Sequence, residues 1–255
     1  MTCVTNSLNG SGSPYGTINR IVAGAWAEKE LSQPWIVLLD TDTILVEEPE
    51  LVRADVGARP VDMKGSASSG PDDPLDAYWS RLSTLAGIEL SRLPMLTTTM
   101  DRVPIRASYN GGFTVVRRDL GILGKTEEIF FASFAENLRP LAGGRNNVFA
   151  STGPVGLDAS EWWGSSQAAL SIAIWSKTKD VRVYDDRYNI PLHILADPAR
   201  SWPMGPGFRP SLLHYHYLAE PPQQESFRQT LRRIGCAPAA VAWIEERLPY
   251  FALPD

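Results

Sequence analysis

A short apolar run, Trp35-Ile-Val-Leu-Leu39, stops abruptly on Asp40-Thr-Asp42. A continuous run of that length reads as a buried strand, the kind found in sheets covered by helices. The residues before it agree, because Ile18, Ile21, Val22, Ala25 and Trp26 recur at helical spacing. Helix, buried strand and polar strand end are the grammar of an α/β domain. Further helices are predicted over 75–86, 126–138, 165–175, 223–234 and 239–248. Strands are predicted over 94–99, 113–117, 181–184 and 212–217. Gly, Ser, Asn and Pro predict loops over 57–74, 140–159 and 197–210, and the first and last of these are candidate lids. Residues 1–16 are expected to be flexible, and 17–255 to form a single domain with no internal repeat.

Charge and composition narrow the partners. Lys and Arg total 24 against 29 Asp and Glu, a net charge of -5, which argues against a nucleic-acid binder. No apolar run approaches the ~20 residues of a membrane span. The stretch from Met1 to Gly10 lacks the basic start and apolar core of a secretory leader. Two cysteines, Cys3 and Cys236, make no disulfide framework and fit a reducing, cytoplasmic compartment.

Asp40 and Asp42 stand at the end of an apolar strand, where open α/β sheets place their binding crevice. Carboxylates two residues apart can converge on one hard cation, and Mg²⁺ or Mn²⁺ commonly takes one or two carboxylates together with phosphate oxygens. The same pair could equally cap the strand. His214 and His216 would share one face of a strand, which makes either a candidate nitrogen ligand beside the carboxylates. His193 is read as structural. Asn110-Gly-Gly112 would let a backbone approach a ligand closely, or form a simple turn before a strand. Asp158 and Glu161 flank Trp162 and Trp163, an arrangement that would suit a sugar acceptor and its general base; a plain core role for the Trp pair is the commoner fate.

Ile36-Val-Leu-Leu-Asp-Thr-Asp-Thr-Ile-Leu45 resembles the Asp-x-Asp segment of GT-A-type, nucleotide-sugar-dependent glycosyltransferases, glycogenin-like enzymes among them. Four more segments are similar to that family's and fall in its order: Ser108-Tyr-Asn-Gly-Gly-Phe-Thr-Val-Val-Arg117, Ser165-Ser-Gln-Ala-Ala-Leu-Ser171, Arg187-Tyr-Asn-Ile-Pro-Leu-His193 and Leu212-Leu-His-Tyr-His-Tyr217. The resemblance spans about residues 17–218. It implies a GT-A-like mixed sheet flanked by helices and a Mn²⁺ or Mg²⁺ ion on Asp40, Asp42 and His214 or His216. It also implies a donor, first of all a UDP-sugar, held at Asp40, Asn110, Gly111, Gly112 and Gln167. The acceptor would be a carbohydrate or another hydroxyl compound.

The family spends about three βα units of about 30 residues each before the Asp-x-Asp strand. Here 39 residues precede Asp40. The base-binding half is therefore expected to be abbreviated, absent or completed by a partner chain. Two other readings compete. Val37-Leu-Leu-Asp-Thr-Asp-Thr-Ile44 also resembles the first motif of haloacid-dehalogenase-like phosphatases, with Leu96-Thr97 and Val183-Tyr-Asp-Asp186 as imitations of later motifs. A non-catalytic nucleotide- or carbohydrate-binding homologue is the other.

Overall fold

The apolar run before Asp40 does form a strand, but at an edge. In the computed structural model, which describes residues 12–51, 53–143, 149–150, 153–219 and 221–251, the first elements are helix α1 (Ile18–Glu30) and strand β1 (Trp35–Leu39). Strands β2 (Thr43–Leu45) and β3 (Val56–Pro60) and helix α2 (Asp76–Ala86) follow. Next come β4 (Met95–Thr97), β5 (Pro104–Arg106), β6 (Tyr109–Arg117) and α3 (Ile122–Ala135). The middle of the chain adds β7 (Phe149–Ala150), β8 (Gly153–Pro154), α4 (Leu157–Glu161) and α5 (Ser165–Lys177). After these lie β9 (Val181–Val183), β10 (Ile190–Pro191), α6 (Leu192–Leu195) and β11 (Leu212–His214). The C-terminal helices are α7 (Gln224–Arg233) and α8 (Pro238–Phe251).

The result is a mixed α/β architecture. A four-stranded sheet runs β1-β6-β3-β9, with β6 antiparallel to both neighbours and β3 parallel to β9. A three-stranded sheet runs β10-β11-β2, and β4-β5 and β7-β8 form two small ribbons. On one face of the larger sheet, Ile36, Val56, Ala58 and Val116 pack with Ile18, Trp79, Leu82, Ile129, Phe130, Trp162 and Ile172 from α1, α2, α3, α5 and the turn after α4. The helices hold one another in place. Glu28 of α1, 8% exposed, accepts the N–H groups of Leu123 and Gly124 and so satisfies orphan donors in the first turn of α3. Helix α2 ends where Gly87 takes φ 75°, the left-handed stop that glycine adopts without steric cost. The smaller sheet has its own core, in which Ile44, Ile190 and Leu213 pack against Phe227, Leu231, Ile244 and Leu248.

Several expectations need correction. β1 is half covered instead of fully buried: among the described residues it pairs only with β6, and Val37 and Leu39 are 39% and 40% exposed. The expected 57–74 loop begins inside β3, which is buried at all five positions between two other strands and therefore shows no alternation. β6 starts at Tyr109 instead of 113, so Asn110-Gly-Gly112 lies within the strand and is not a turn before it. Helix α3 begins four residues before the predicted start at 126. The expected 140–159 loop contains two short strands and the start of α4. β11 stops at His214, and His216 opens a 3-10 helix, His216–Ala219, with φ 53°. The two histidines therefore do not share a strand face. Of the segment expected to be flexible, residues 1–11 lie outside the described residues, whereas Ser13 and Tyr15 are buried and Tyr15 belongs to the main core. Among the described residues no helix is long and apolar enough to cross a membrane.

Candidate metal centre

Asp40-Thr-Asp42 is the connector between the two sheets. β1 ends the larger sheet at Leu39, and β2 enters the smaller one at Thr43. Its backbone is fixed at three points. Asp40 N–H donates to Gly112 O at 3.2 Å, Thr43 Oγ1 donates to Asp40 O at 2.7 Å, and Tyr215 N–H donates to Asp42 O at 3.0 Å. β11 pairs with β2 so that His214 faces Thr43, which brings its ring over the turn. One ligand atom from each of Asp40, Asp42 and His214 then lies within 4.8 Å of the others. The group contains His214 and not His216.

The charges are arranged in layers. His214 Nε2 lies 3.1 Å from Asp42 Oδ2. Burial alone would raise the Asp42 carboxyl, but the His214 hydrogen bond and the nearby imidazoles outweigh it and hold the carboxyl below its ordinary value. Burial opposes a charge on His214 too, yet Asp42, with Asp40 and Asp62 behind it, carries the ring above its ordinary value. Asp40 Oδ1 is ion-paired with Arg20 of α1, whose guanidinium also reaches Ser166 Oγ at 3.4 Å. His193 and His216 stack with ring centroids 4.5 Å apart, and His193 lies 5.4 Å from His214. Burial, reinforced by the neighbouring imidazoles, pushes His193 well below its ordinary value; it takes His216 down to about 4.

β6 contributes a bulge. Ala58 pairs with Thr114 but Arg59 with Asn110, so Gly111, Gly112 and Phe113 face no residue of β3. Asn110 donates to Asp62 Oδ2 at 3.2 Å, and its Oδ1 accepts the Gly112 N–H at 2.9 Å. Both glycines are close-approach positions. A Cβ on Gly111 would stand 2.5 Å from Arg20 Nη2, and one on Gly112 would stand 2.5 Å from Asn189 Oδ1 and 3.1 Å from Asp40 Oδ2. Behind them Arg59, 1% exposed, donates to the carbonyls of Tyr188 and Asn189, pairs with Asp62 and Asp186 at 3.5 and 3.8 Å, and stacks on Trp202. Buried polar atoms without hydrogen-bond partners gather in this region: both side-chain atoms of Asn189, Nδ1 of His193, His214 and His216, Arg59 Nη2 and Asp62 Oδ1. Two carboxylates and an imidazole suit a divalent cation.

The segments singled out from sequence therefore converge here: Asp40 and Asp42, Asn110 to Gly112, the Ser166 end of α5, the Tyr188-Asn189 stretch and His214. Gln167 is half-buried in the first turn of α5, where its carbonyl accepts the Ser171 hydroxyl. Asp158 and Glu161 are engaged elsewhere. Both pair with Arg139, Glu161 also accepts the Gly143 N–H, and neighbouring Trp162 is core at 1% exposure. Arg20, Arg59, Asp62 and Asn189 were not anticipated as site residues, and His193 sits in the imidazole cluster. Asn189 at least lay inside a segment the sequence marked out; Arg20 and Arg59 carry no sequence signal beyond being basic. A separate open cavity of about 350 Å³ lies beside the 197–210 segment, walled by Glu47, Asp186, Phe208 and Arg209, and does not include the metal-binding group.

The chain matched no family model, no curated protein and no solved structure.

Proposed function

We propose that the chain is a metal-dependent glycosyltransferase of GT-A-like fold, moving a sugar from a nucleotide-sugar donor, first of all a UDP-sugar, to an acceptor hydroxyl. One observation carries the reading: the five segments that resemble that family, scattered over more than 170 residues, meet around the Asp40–Asp42 turn. In this reading Asp40, Asp42 and His214 hold Mn²⁺ or Mg²⁺. A divalent cation there neutralises the charge of a diphosphate leaving group. The bulged Gly111 and Gly112 let the Arg20 guanidinium and the Asn189 amide close against the backbone beside Asp40, where the donor would be held. Arg20 holds Asp40 in place and sets its carboxylate for the cation. Asp158 and Glu161 act as a surface ion-pair cluster with Arg139 and not as the acceptor's base.

β1 is the edge of its sheet, and among the described residues no strand lies beyond it. The proposal therefore includes a partner chain or segment that supplies the contacts to the nucleotide base. That same edge favours a second reading, a nucleotide- or carbohydrate-binding protein without turnover. The phosphatase reading has less support, because Asp186 pairs with Arg59 and the Asp185 carboxylate with Arg187.

The test is UDP release from a panel of UDP-sugars with Mn²⁺. The proposal expects release that stops on chelation and in Asp42→Ala. Release that survives Asp42→Ala, or phosphate-ester turnover through an aspartyl-phosphate, would overturn it. UDP binding without any release would select the non-catalytic reading.

A further inference from the structure

Asn189 combines four features that a structural asparagine does not need together. It is 1% exposed, and yet its carboxamide oxygen and nitrogen both lack a hydrogen-bond partner. Buried side-chain amides are nearly always satisfied, so an orphan of this kind calls for an explanation, and an absent ligand is one. Its backbone takes φ 50°, in the left-handed region that asparagine tolerates at a cost and that clusters at ligand sites. Arg59, itself fully buried, reaches the carbonyls of Tyr188 and Asn189 and so holds that backbone in place. Across from it Gly112 has no side chain. The single Cβ it lacks would touch Asn189 Oδ1 and Asp40 Oδ2 together, so the amide and the carboxylate flank the same small space.

We infer that the Asn189 carboxamide oxygen is a fourth protein ligand of the cation held by Asp40, Asp42 and His214. Hard divalent cations accept asparagine carbonyl oxygens as readily as carboxylates. The neutral oxygen adds a donor without adding a third negative charge beside Asp40 and Asp42. Arg20 occupies Asp40 Oδ1, which leaves Oδ2, the oxygen on the Asn189 side, to face the ion. The inference rests on the metal centre of the proposed function but not on sugar transfer.

The experiment is Mn²⁺ binding by calorimetry and by electron paramagnetic resonance, without nucleotide, on the full chain. Asn189→Gly removes the amide while keeping a backbone suited to positive φ, and Asn189→Asp replaces the amide with a charged oxygen ligand. Asn189→Gly should bind Mn²⁺ at least about tenfold more weakly than the wild type, the smaller end of what loss of even an outer-shell partner costs. Its thermal unfolding without metal should match the wild type, and Asn189→Asp should recover the affinity. Wild-type affinity in Asn189→Gly, or weakened binding that Asn189→Asp does not recover, would overturn the inference. Absence of Mn²⁺ binding in the wild type would overturn it together with the metal centre. A wild type that binds Mn²⁺ but releases no UDP would sink only the transferase reading.

Discussion

His214 Nε2 lies 3.1 Å from Asp42 Oδ2, across 172 residues of sequence. The contact forms because β11 pairs antiparallel with β2, and its register puts His214 opposite Thr43, one residue after Asp42. The two groups shift in opposite directions, the carboxyl down and the imidazole up, as an ion pair requires. A cation held at this pair would take the place of a proton on His214, since an imidazole ligates in its neutral form.

This geometry separates the two candidate histidines. His214→Ala should weaken Mn²⁺ binding by about tenfold or more, whereas His216→Ala should change it much less, because His216 stacks on His193 outside the ligand group. Parallel calorimetric titrations decide it. An equal loss in both variants would mean that the imidazoles act as one cluster.

Gly112 is predicted to tolerate no side chain. Gly112→Ala forces a Cβ against Asn189 and Asp40, and overpacking of that kind costs about 1–3 kcal/mol. Chemical denaturation should show the loss, and Mn²⁺ titration should show weaker binding. A variant as stable and as metal-competent as the wild type would mean that the Gly112 backbone does not crowd the site.

Arg59 is a buried cation whose loss strands Asp62. Asp62 is 8% exposed, and burial raises its carboxyl despite Arg59 and Asn110. Arg59→Met should destabilise the fold by about 3–5 kcal/mol, because a buried charge is left uncompensated. Adding Asp62→Asn should restore part of that in the double variant, by urea unfolding. Additive losses would show that the two residues are not coupled.

The acid limit of stability should respond to Asp76. Arg106 binds this carboxylate through Nε at 2.6 Å and Nη2 at 3.1 Å, Ser68 donates to it at 2.5 Å, and the Arg106 contact leads in holding it below its ordinary value of 3.8. A depressed carboxyl contributes stability that is full above its unfolded value and is lost as pH falls through the folded one. Unfolding curves should therefore weaken as pH drops below about 4. Asp76→Asn should be less stable at neutral pH and lose less on acidification. An unchanged acid limb would remove Asp76 from that account.

The parts of the fold that periodicity can express were readable from the chain. Helices α2, α5 and α7 lie within two residues of their expected bounds, α2 and α7 because each turns an apolar stripe toward the core and α5 because it is apolar enough to be buried almost all round; α1 contains the apolar positions 18–26 that predicted it. β3 was not, because a strand covered on both sides has no alternation, and Gly57, Arg59 and Pro60 look like loop residues. Arg59 is tolerated there only because Asp62, Asp186 and Trp202 surround it, none of which local sequence can announce. The early start of α3 is hidden in the same way, since the Glu28 carboxylate that satisfies its first turn comes from another helix. At the site, Asp40, Asp42 and His214 were legible from residue type and spacing. The exclusion of His216 was not, because it depends on where β11 stops. Arg20 and Asn189 became visible only when the bulge in β6 set Gly111 and Gly112 beside them.

The most direct measurement of the central claim is a calorimetric titration of UDP into the protein with and without Mn²⁺, repeated on Asp42→Ala. A metal centre that holds a donor diphosphate predicts UDP binding that requires Mn²⁺ and disappears in the variant. UDP binding of equal strength without Mn²⁺, or retained in Asp42→Ala, would contradict it.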